Sequence, residues 1–221
     1  MQALEWGCSC EPGFVRALIP MCCGPYHHAW QIGISEAQRQ AIYADPKWQD
    51  GDYNPNDPPL SGLSVARQVA MVTYRSHSAY ESKFGRGLIE DAKAGQGQHS
   101  YFQVEAYLRY QGKKFGDRFD AHSYVKITRM MDTHDVGRGR GGAEAALAAA
   151  AIPTLIVGVD SDVLYPLHEQ QKLQSMIPGA QLHVIRSPHG HDAFLLEQDQ
   201  ILARAKQFLA GVAKGGPPSK L

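Results

Sequence analysis

Two apolar runs near the C-terminus, IPTLIVGVD (152–160) and AQLHVIRS (180–187), constrain this chain more than any other feature. The first is continuously apolar, the pattern of a strand buried on both faces, and the second alternates as a strand with one wetter face does. Between them HEQQKLQSMIPG has helical spacing and is closed by Pro178-Gly179. After them LLEQDQILARAKQFLAGVAK carries Ile201, Leu202, Ala205, Phe208, Leu209 and Val212 as a stripe expected to face inward. A strand–helix–strand–helix order of this kind predicts adjacent parallel strands with helices on their faces, an α/β architecture.

The first part of the chain fits the same layout. MQALEW reads as a helix broken at Gly7, and FVRALIPMCC as a short strand stopped by the Gly24-Pro25 turn. The region from 27 to 150 is different. HAWQIGISEAQRQAIYAD has Trp30, Ile34, Ala37, Ala41 and Ile42 at helical spacing and ends at Asp45-Pro46. A polar loop rich in Pro and Gly follows. LSVARQVAMVTYRS then places Leu63, Ala66, Val69, Ala70 and Thr73 on one face, and VEAYLRYQGKKF and SYVKITRMMDTH resume helices. Residues 85–100 read as a mobile linker, and RGRGGAEAALAAAA as a Gly-rich hinge before an alanine-rich stretch. The expected organisation is a core of residues 1–26 and 151–221, part of a doubly wound sheet, carrying an inserted helical cap of residues 27–150.

Bulk properties narrow the partners. With 43% hydrophobic residues in 221, one sizeable core is affordable, and 22 basic against 22 acidic residues leave no net charge to recruit nucleic acid or an anionic membrane. No apolar run approaches the roughly 20 residues that span a bilayer. The N-terminus lacks the basic-then-apolar layout of a signal peptide, so the chain reads as soluble and intracellular. Cys8, Cys10, Cys22 and Cys23, with His27 and His28, can be drawn as a zinc site, but CxC and CC match the usual knuckle spacing poorly. Reduced, mostly buried thiols and no bound metal are expected.

The polar groups that promise chemistry stand at the ends of the two apolar runs. GVDSDVLYP offers Asp160 and Asp162, and SPHGHDAF offers His189, His191 and Asp192. Functional residues of parallel sheets gather at the carboxyl ends of strands, and an acid followed later by a histidine is one chain order of a nucleophile–acid–base triad. Spacing alone does not choose among these acids and histidines, or between a triad and solvated turn residues.

The strings IGISEAQRQAIYADPKWQDGDY, YLRYQGKKF, MDTHDVGRGR, SDVLYP and GHDAFL together resemble the homoserine O-acetyltransferase family of the α/β-hydrolase fold, in order through nearly the whole chain. The resemblance implies a partial α/β-hydrolase fold with Asp162 as triad acid and His191 as base, leaving Asp160 and His189 without catalytic roles. It also implies Arg67 and Tyr74, two turns apart on one helix, as substrate-binding groups, with Asp192 receiving the substrate ammonium. Asp132, His134, Asp135, Gln38 and Arg39 are read as structural groups. The implied reaction is ping-pong acetyl transfer from acetyl-CoA, a co-substrate, to L-homoserine in methionine biosynthesis, with no bound cofactor.

The serine of that triad belongs on a G-x-S-x-G elbow, and the chain contains none. The resemblance places it four residues before Met1. The chain is therefore expected to be the C-terminal part of a longer acetyltransferase, inactive alone and poorly folded or associated, and a homodimer at full length. MCCGPYHHAW departs from the family pattern near the active-site mouth, which keeps serine or a secondary-metabolite alcohol open as acceptor. A catalytically dead binding or regulatory homologue is the remaining alternative. The terminal Ser219-Lys220-Leu221 matches the address read by the peroxisomal import receptor, so peroxisome is expected before cytoplasm.

Overall fold

The computed structural model describes residues 1–89 and 102–215. Most of the expected linker and the Ser219-Lys220-Leu221 tail lie outside the described residues. The chain divides into two compact units: Met1–His28 with Thr133–Leu221, and Ala29–Asp132. The stretch 133–150, expected in the inserted part, falls in the first unit instead. Its Val136 and Leu147 are buried with Leu4, Ile156, Leu173 and Ile177 in one apolar cluster, and that burial outweighs the glycine-rich look of its sequence.

The first unit opens with α1 (Gln2–Ser9). This helix continues through Gly7 rather than breaking there. A side chain at Gly7 would meet Leu18 Cδ1 at 2.7 Å, so glycine lets the helix approach the next segment. In the second unit α2 (Ala29–Tyr43), α3 (Leu60–Tyr74), α4 (His77–Lys83), α5 (Gln103–Gly116) and α6 (Ala121–Thr133) follow, the last ending across the boundary. The first unit resumes with α7 (Ala143–Ala150), β1 (Leu155–Val159), α8 (Leu167–Met176), β2 (Gln181–Ile185), α9 (Ala193–Leu196) and α10 (Gln198–Ala213).

β1 and β2 pair in parallel from Leu155↔Gln181 to Val159↔Ile185. The segment 18–22 runs parallel to β1 on its other side. Leu18 N–H donates to Pro153 O, Leu155 N–H to Leu18 O, Val157 N–H to Pro20 O and Cys22 N–H to Val157 O. Pro20 has no N–H to give, so this third member is a row of bridges, Leu18↔Thr154 and Met21↔Val157, rather than an unbroken strand. β1, fully buried, lies between the two. One of its faces joins Cys22, Ile185, Ala193, Ile201 and Phe208 in a core, and the other joins the α1–α7–α8 cluster. Of the stripe expected to face inward on α10, Ile201 and Phe208 are buried, but Leu202 is 50% and Leu209 46% exposed. The seam of α10 is narrower than the apolar count suggests.

The second unit packs Ile42, Trp48, Leu63, Ala66, Phe115, Ala121 and Tyr124 together. α3 buries Leu63, Ala66 and Ala70 as its spacing predicts. α2 does not follow its apolar residues. Trp30 is 56% exposed, while Gln31, Ser35, Gln38 and Arg39 are buried with Ile42. The polar face is interior because it is satisfied there: Tyr124 Oη donates to Gln38 Oε1 at 2.6 Å, and Arg39 pairs with Glu36 and Asp132.

Gly62 is the contact between α2 and α3. A Cβ there would stand 2.6 Å from the Ala41 carbonyl and 2.8 Å from Ile42 Cα, both backbone atoms, and its N–H donates to Asp45 Oδ2 at 2.8 Å. Gly62→Ala is expected to destabilise the second unit by about 1–3 kcal/mol, because the helices must separate to admit one methyl group. A lowered urea midpoint at unchanged slope checks this, and an unchanged midpoint contradicts it.

Candidate active site

The carboxyl ends of β1 and β2 carry two loops that interlock before any reactive group is considered. Ser187 N–H donates to Asp160 Oδ1 at 3.1 Å, and Arg186 reaches Asp160 Oδ2 at 3.4 Å. Ser161 Oγ donates to Ser187 O at 2.5 Å and accepts from Gly190 N–H at 3.0 Å. Ser187 Oγ donates to Glu197 at 2.7 Å. Asp160 is exposed and ties the two loops together.

Asp162 is 4% exposed, and its two oxygens have different tasks. Oδ1 accepts the N–H groups of Leu164 and Tyr165, both at 2.8 Å, which fixes the carboxylate plane. Oδ2 meets His191 Nδ1 at 2.8 Å. A carboxylate in that place is an acceptor, which favours the imidazole tautomer with its proton on Nδ1 and Nε2 bare. His191 stands in a 3-10 turn, Gly190–Asp192, with its side chain 15% exposed. Gly190 takes φ +67°, a left-handed conformation natural to glycine, at the corner that presents the imidazole. Tyr165 lies against the imidazole with ring centroids 5.5 Å apart, and Phe194 meets it edge-on at 5.3 Å.

The other expected residues are placed as follows. Asp192 is half-buried at the end of the same turn, next to His191. His189 is half-buried, its backbone N–H donating to Ser187 Oγ at 3.2 Å, and it does not join the Asp162–His191 pair. Arg67 and Tyr74 belong to the second unit and are brought together on α3, the guanidinium 5.2 Å from the Tyr74 ring centroid and 4.9 Å from that of Phe115. Arg67 forms no ion pair among the described residues. Asp132 pairs with Arg39, and Asp135 Oδ1 accepts Gly137 N–H at 2.8 Å, so both have structural partners.

Sequence reasoning passed over three neighbours of the dyad. Tyr165 lies within the SDVLYP string but received no role. Its hydroxyl and His27 Nε2 are 2.6 Å apart, and His27, considered only as a zinc ligand, is 7% exposed. Cys22 is the third: it has φ +44° and is buried beside Asp162, where desolvation and then the Asp162 charge push its thiol well above the usual range. Of the four free thiols it alone is fully buried; Cys8, Cys10 and Cys23 are partly buried. His28 approaches Glu169 at 3.3 Å, so the two adjacent histidines serve different partners.

The α/β-hydrolase fold family matches residues 5–198. The chain is 52% identical over 204 residues to a homoserine O-acetyltransferase of Salinibacter ruber, covering 91% of this chain and 56% of the relative. It is 48% identical over 208 residues to one of Chlorobaculum parvum, covering 94% and 56%. The chain thus spans a little over half the length of these curated relatives. Among solved structures, a homoserine O-acetyltransferase of Bacillus anthracis superposes with TM-score 0.83 at 21% identity, covering 94% of this chain and 56% of that one. Esterase E22 superposes with TM-score 0.82 at 22% identity, covering 94% and 58%. At such identities the superpositions speak for the fold alone.

Proposed function

The chain belongs to the α/β-hydrolase fold family, and from that premise we propose that it is the acid- and base-bearing part of an acetyl-CoA-dependent L-homoserine O-acetyltransferase. The observation that carries this reading is the Asp162–His191 hydrogen bond, 2.8 Å long, between loops at the ends of adjacent parallel strands. The similarity to named homoserine O-acetyltransferases supports the acceptor.

In this reaction His191 Nε2 takes the proton of a serine hydroxyl as that oxygen attacks the thioester carbonyl of acetyl-CoA. The imidazolium, stabilised by Asp162, returns the proton to the departing CoA sulfur. The same nitrogen then takes the proton of the homoserine hydroxyl as that oxygen attacks the acetyl-serine carbonyl, and returns it to the serine oxygen as the acyl–serine bond breaks and O-acetylhomoserine leaves. Arg67 is assigned to the homoserine carboxylate, because its guanidinium lies over aromatic rings and forms no ion pair with an acidic side chain among the described residues. Tyr74 orients it, and Asp192 is assigned to the ammonium. The nucleophile is proposed to be a serine from the part of the relatives' length that this chain does not span, since the chain itself has no G-x-S-x-G string.

A fusion tests the proposal. The chain alone should show no acetyl transfer from acetyl-CoA to homoserine. Joined behind the segment of the Salinibacter ruber relative that precedes the aligned region, it should acetylate homoserine in preference to serine. Preference for serine or another alcohol would reassign the acceptor. A folded fusion that transfers to none of them would support the binding homologue, and turnover by the chain alone would refute an outside nucleophile.

A further inference from the structure

Cys22 has no task in acetyl transfer, yet it is held against the two groups that do. Its backbone N–H is fixed to Val157 O at 2.8 Å, at the point where segment 18–22 leaves the sheet. There it adopts φ +44°, a left-handed conformation unfavourable for any residue with a Cβ. One donor atom each from Cys22, Asp162 and His191 lies within 4.8 Å of the other two.

We propose that Cys22, Asp162 and His191 form a binding site for a thiophilic divalent cation, zinc above all, whose occupancy silences the dyad. A thiolate, an imidazole nitrogen and a carboxylate oxygen are the donor types zinc prefers. Around one tetrahedral zinc such donors stand about 3.3–3.7 Å apart, given bonds of about 2.0–2.3 Å. The widest donor pair, at most 4.8 Å apart, therefore needs to close by about 1–1.5 Å, while Asp162 Oδ2 and His191 Nδ1, 2.8 Å apart, open by about half an ångström as the cation replaces their shared proton; the fourth position is left for water or an added ligand. Cys22 and Asp162 are 3% and 4% exposed, so both ligands are already out of water. The cation would bring the positive charge that a thiol buried beside a carboxylate lacks. This set differs from the CxC and CC arrangement weighed on sequence. It uses a single cysteine, and His27 and His28 are engaged by Tyr165 and Glu169.

The proton balance explains the silencing. Cys22 gives its thiol proton to solvent on binding, so one proton is released per cation. His191 must offer Nδ1, so its ring proton passes to Nε2. An imidazole protonated at Nε2 and bound to metal at Nδ1 cannot accept a proton from a hydroxyl. Metal binding itself does not depend on the acetyltransferase reading, and the test below needs no turnover.

The full chain, in a thiol-free reductant, is titrated with zinc against a chromophoric chelator, and separately with cobalt while its absorption is recorded. One tight equivalent per chain is expected, with a thiolate-to-cobalt charge-transfer band. Cys22→Ala and His191→Ala should each weaken zinc binding by about 100-fold or more, and Cys22→Ala should also remove the band. The triple change Cys8→Ser/Cys10→Ser/Cys23→Ser should keep both. Absence of a tight equivalent or of the band in the unaltered chain overturns the proposal without recourse to any variant. So does unchanged affinity in Cys22→Ala, or loss of the site in the triple variant. Cys22→Gly, which relieves the positive φ, repeats the loss-of-ligand test if alanine disturbs the fold.

Discussion

Replacing His191 by alanine in the active fusion is expected to lower kcat for acetyl transfer by about 10^4- to 10^6-fold, with the circular dichroism and melting temperature little changed. In the proposed reaction the imidazole moves a proton in both halves, so acylation and deacylation should fail together. It is also only partly buried, at 15% exposure, so its removal leaves a small cavity at the surface rather than in the core. Asp162→Asn is the sharper companion. Asparagine can keep its carbonyl on the Leu164 and Tyr165 N–H groups, which preserves the turn. Its amide then faces His191 Nδ1 as a donor and stabilises the wrong tautomer. A loss of about 10^4-fold in kcat with KM for homoserine nearly unchanged is expected. Steady-state kinetics of the two variants decide the point. Loss confined to KM would make the pair a structural contact and leave the base to be found elsewhere.

The largest stability effect is expected in the second unit, at Arg39. Its side chain is 1% exposed and reaches Glu36 Oε2 through Nε and Nη2, at 2.9 and 2.7 Å, and Asp132 Oδ2 through Nη1 at 2.7 Å. Glu36 is 41% exposed and can turn to water, but Asp132 is 8% exposed and cannot. Arg39→Ala thus takes the guanidinium from a buried carboxylate, a change that typically costs about 3–5 kcal/mol. Against a usual total of about 5–15 kcal/mol, that would leave the unit marginal. Arg39→Met should lose nearly as much, because the charge and not the volume is at issue. Arg39→Met with Asp132→Leu should recover most of it, since neither charge then remains buried. Urea unfolding of the three variants gives the coupling; a double change as unstable as the single would show that packing, not the ion pair, holds α2 in place.

The same residue shows where the sequence could be read and where it could not. β1, α8 and β2 are legible because their burial follows their apolar pattern. Strand ends mark where the loops converge, but spacing leaves Asp160 beside Asp162 and His189 beside His191, and only the family resemblance chooses between them. α2 was misread because its interior face is Gln31, Ser35, Gln38 and Arg39. Periodicity counts apolar residues, and a polar face becomes interior only when partners distant in sequence satisfy it. Gln38 finds Tyr124, 86 residues on. Gly7 read as a helix break for a related reason: its value lies in the approach of Leu18, which local pattern does not contain. Cys22 and His27 were visible only as members of a cysteine- and histidine-rich string. Their positions beside Asp162 and Tyr165 depend on the parallel pairing of segment 18–22 with β1.

The division of the chain has a consequence for how it is made. The second unit is one uninterrupted stretch, 29–132, whereas the first is assembled from both sides of it. Glu5 and Arg140, an ion pair of the first unit, are 135 residues apart, and Cys8 donates to the Ala146 carbonyl across 138. A chain emerging from the ribosome can complete the second unit while α1 and segment 18–22 still wait for β1. Closing that long loop costs only a few tenths of a kcal/mol more than closing one somewhat shorter, because the entropy grows with the logarithm of length. The delay, not the free energy, is the burden: during synthesis Leu4 waits for Val136 and Leu147, and Leu18 and Cys22 wait for β1.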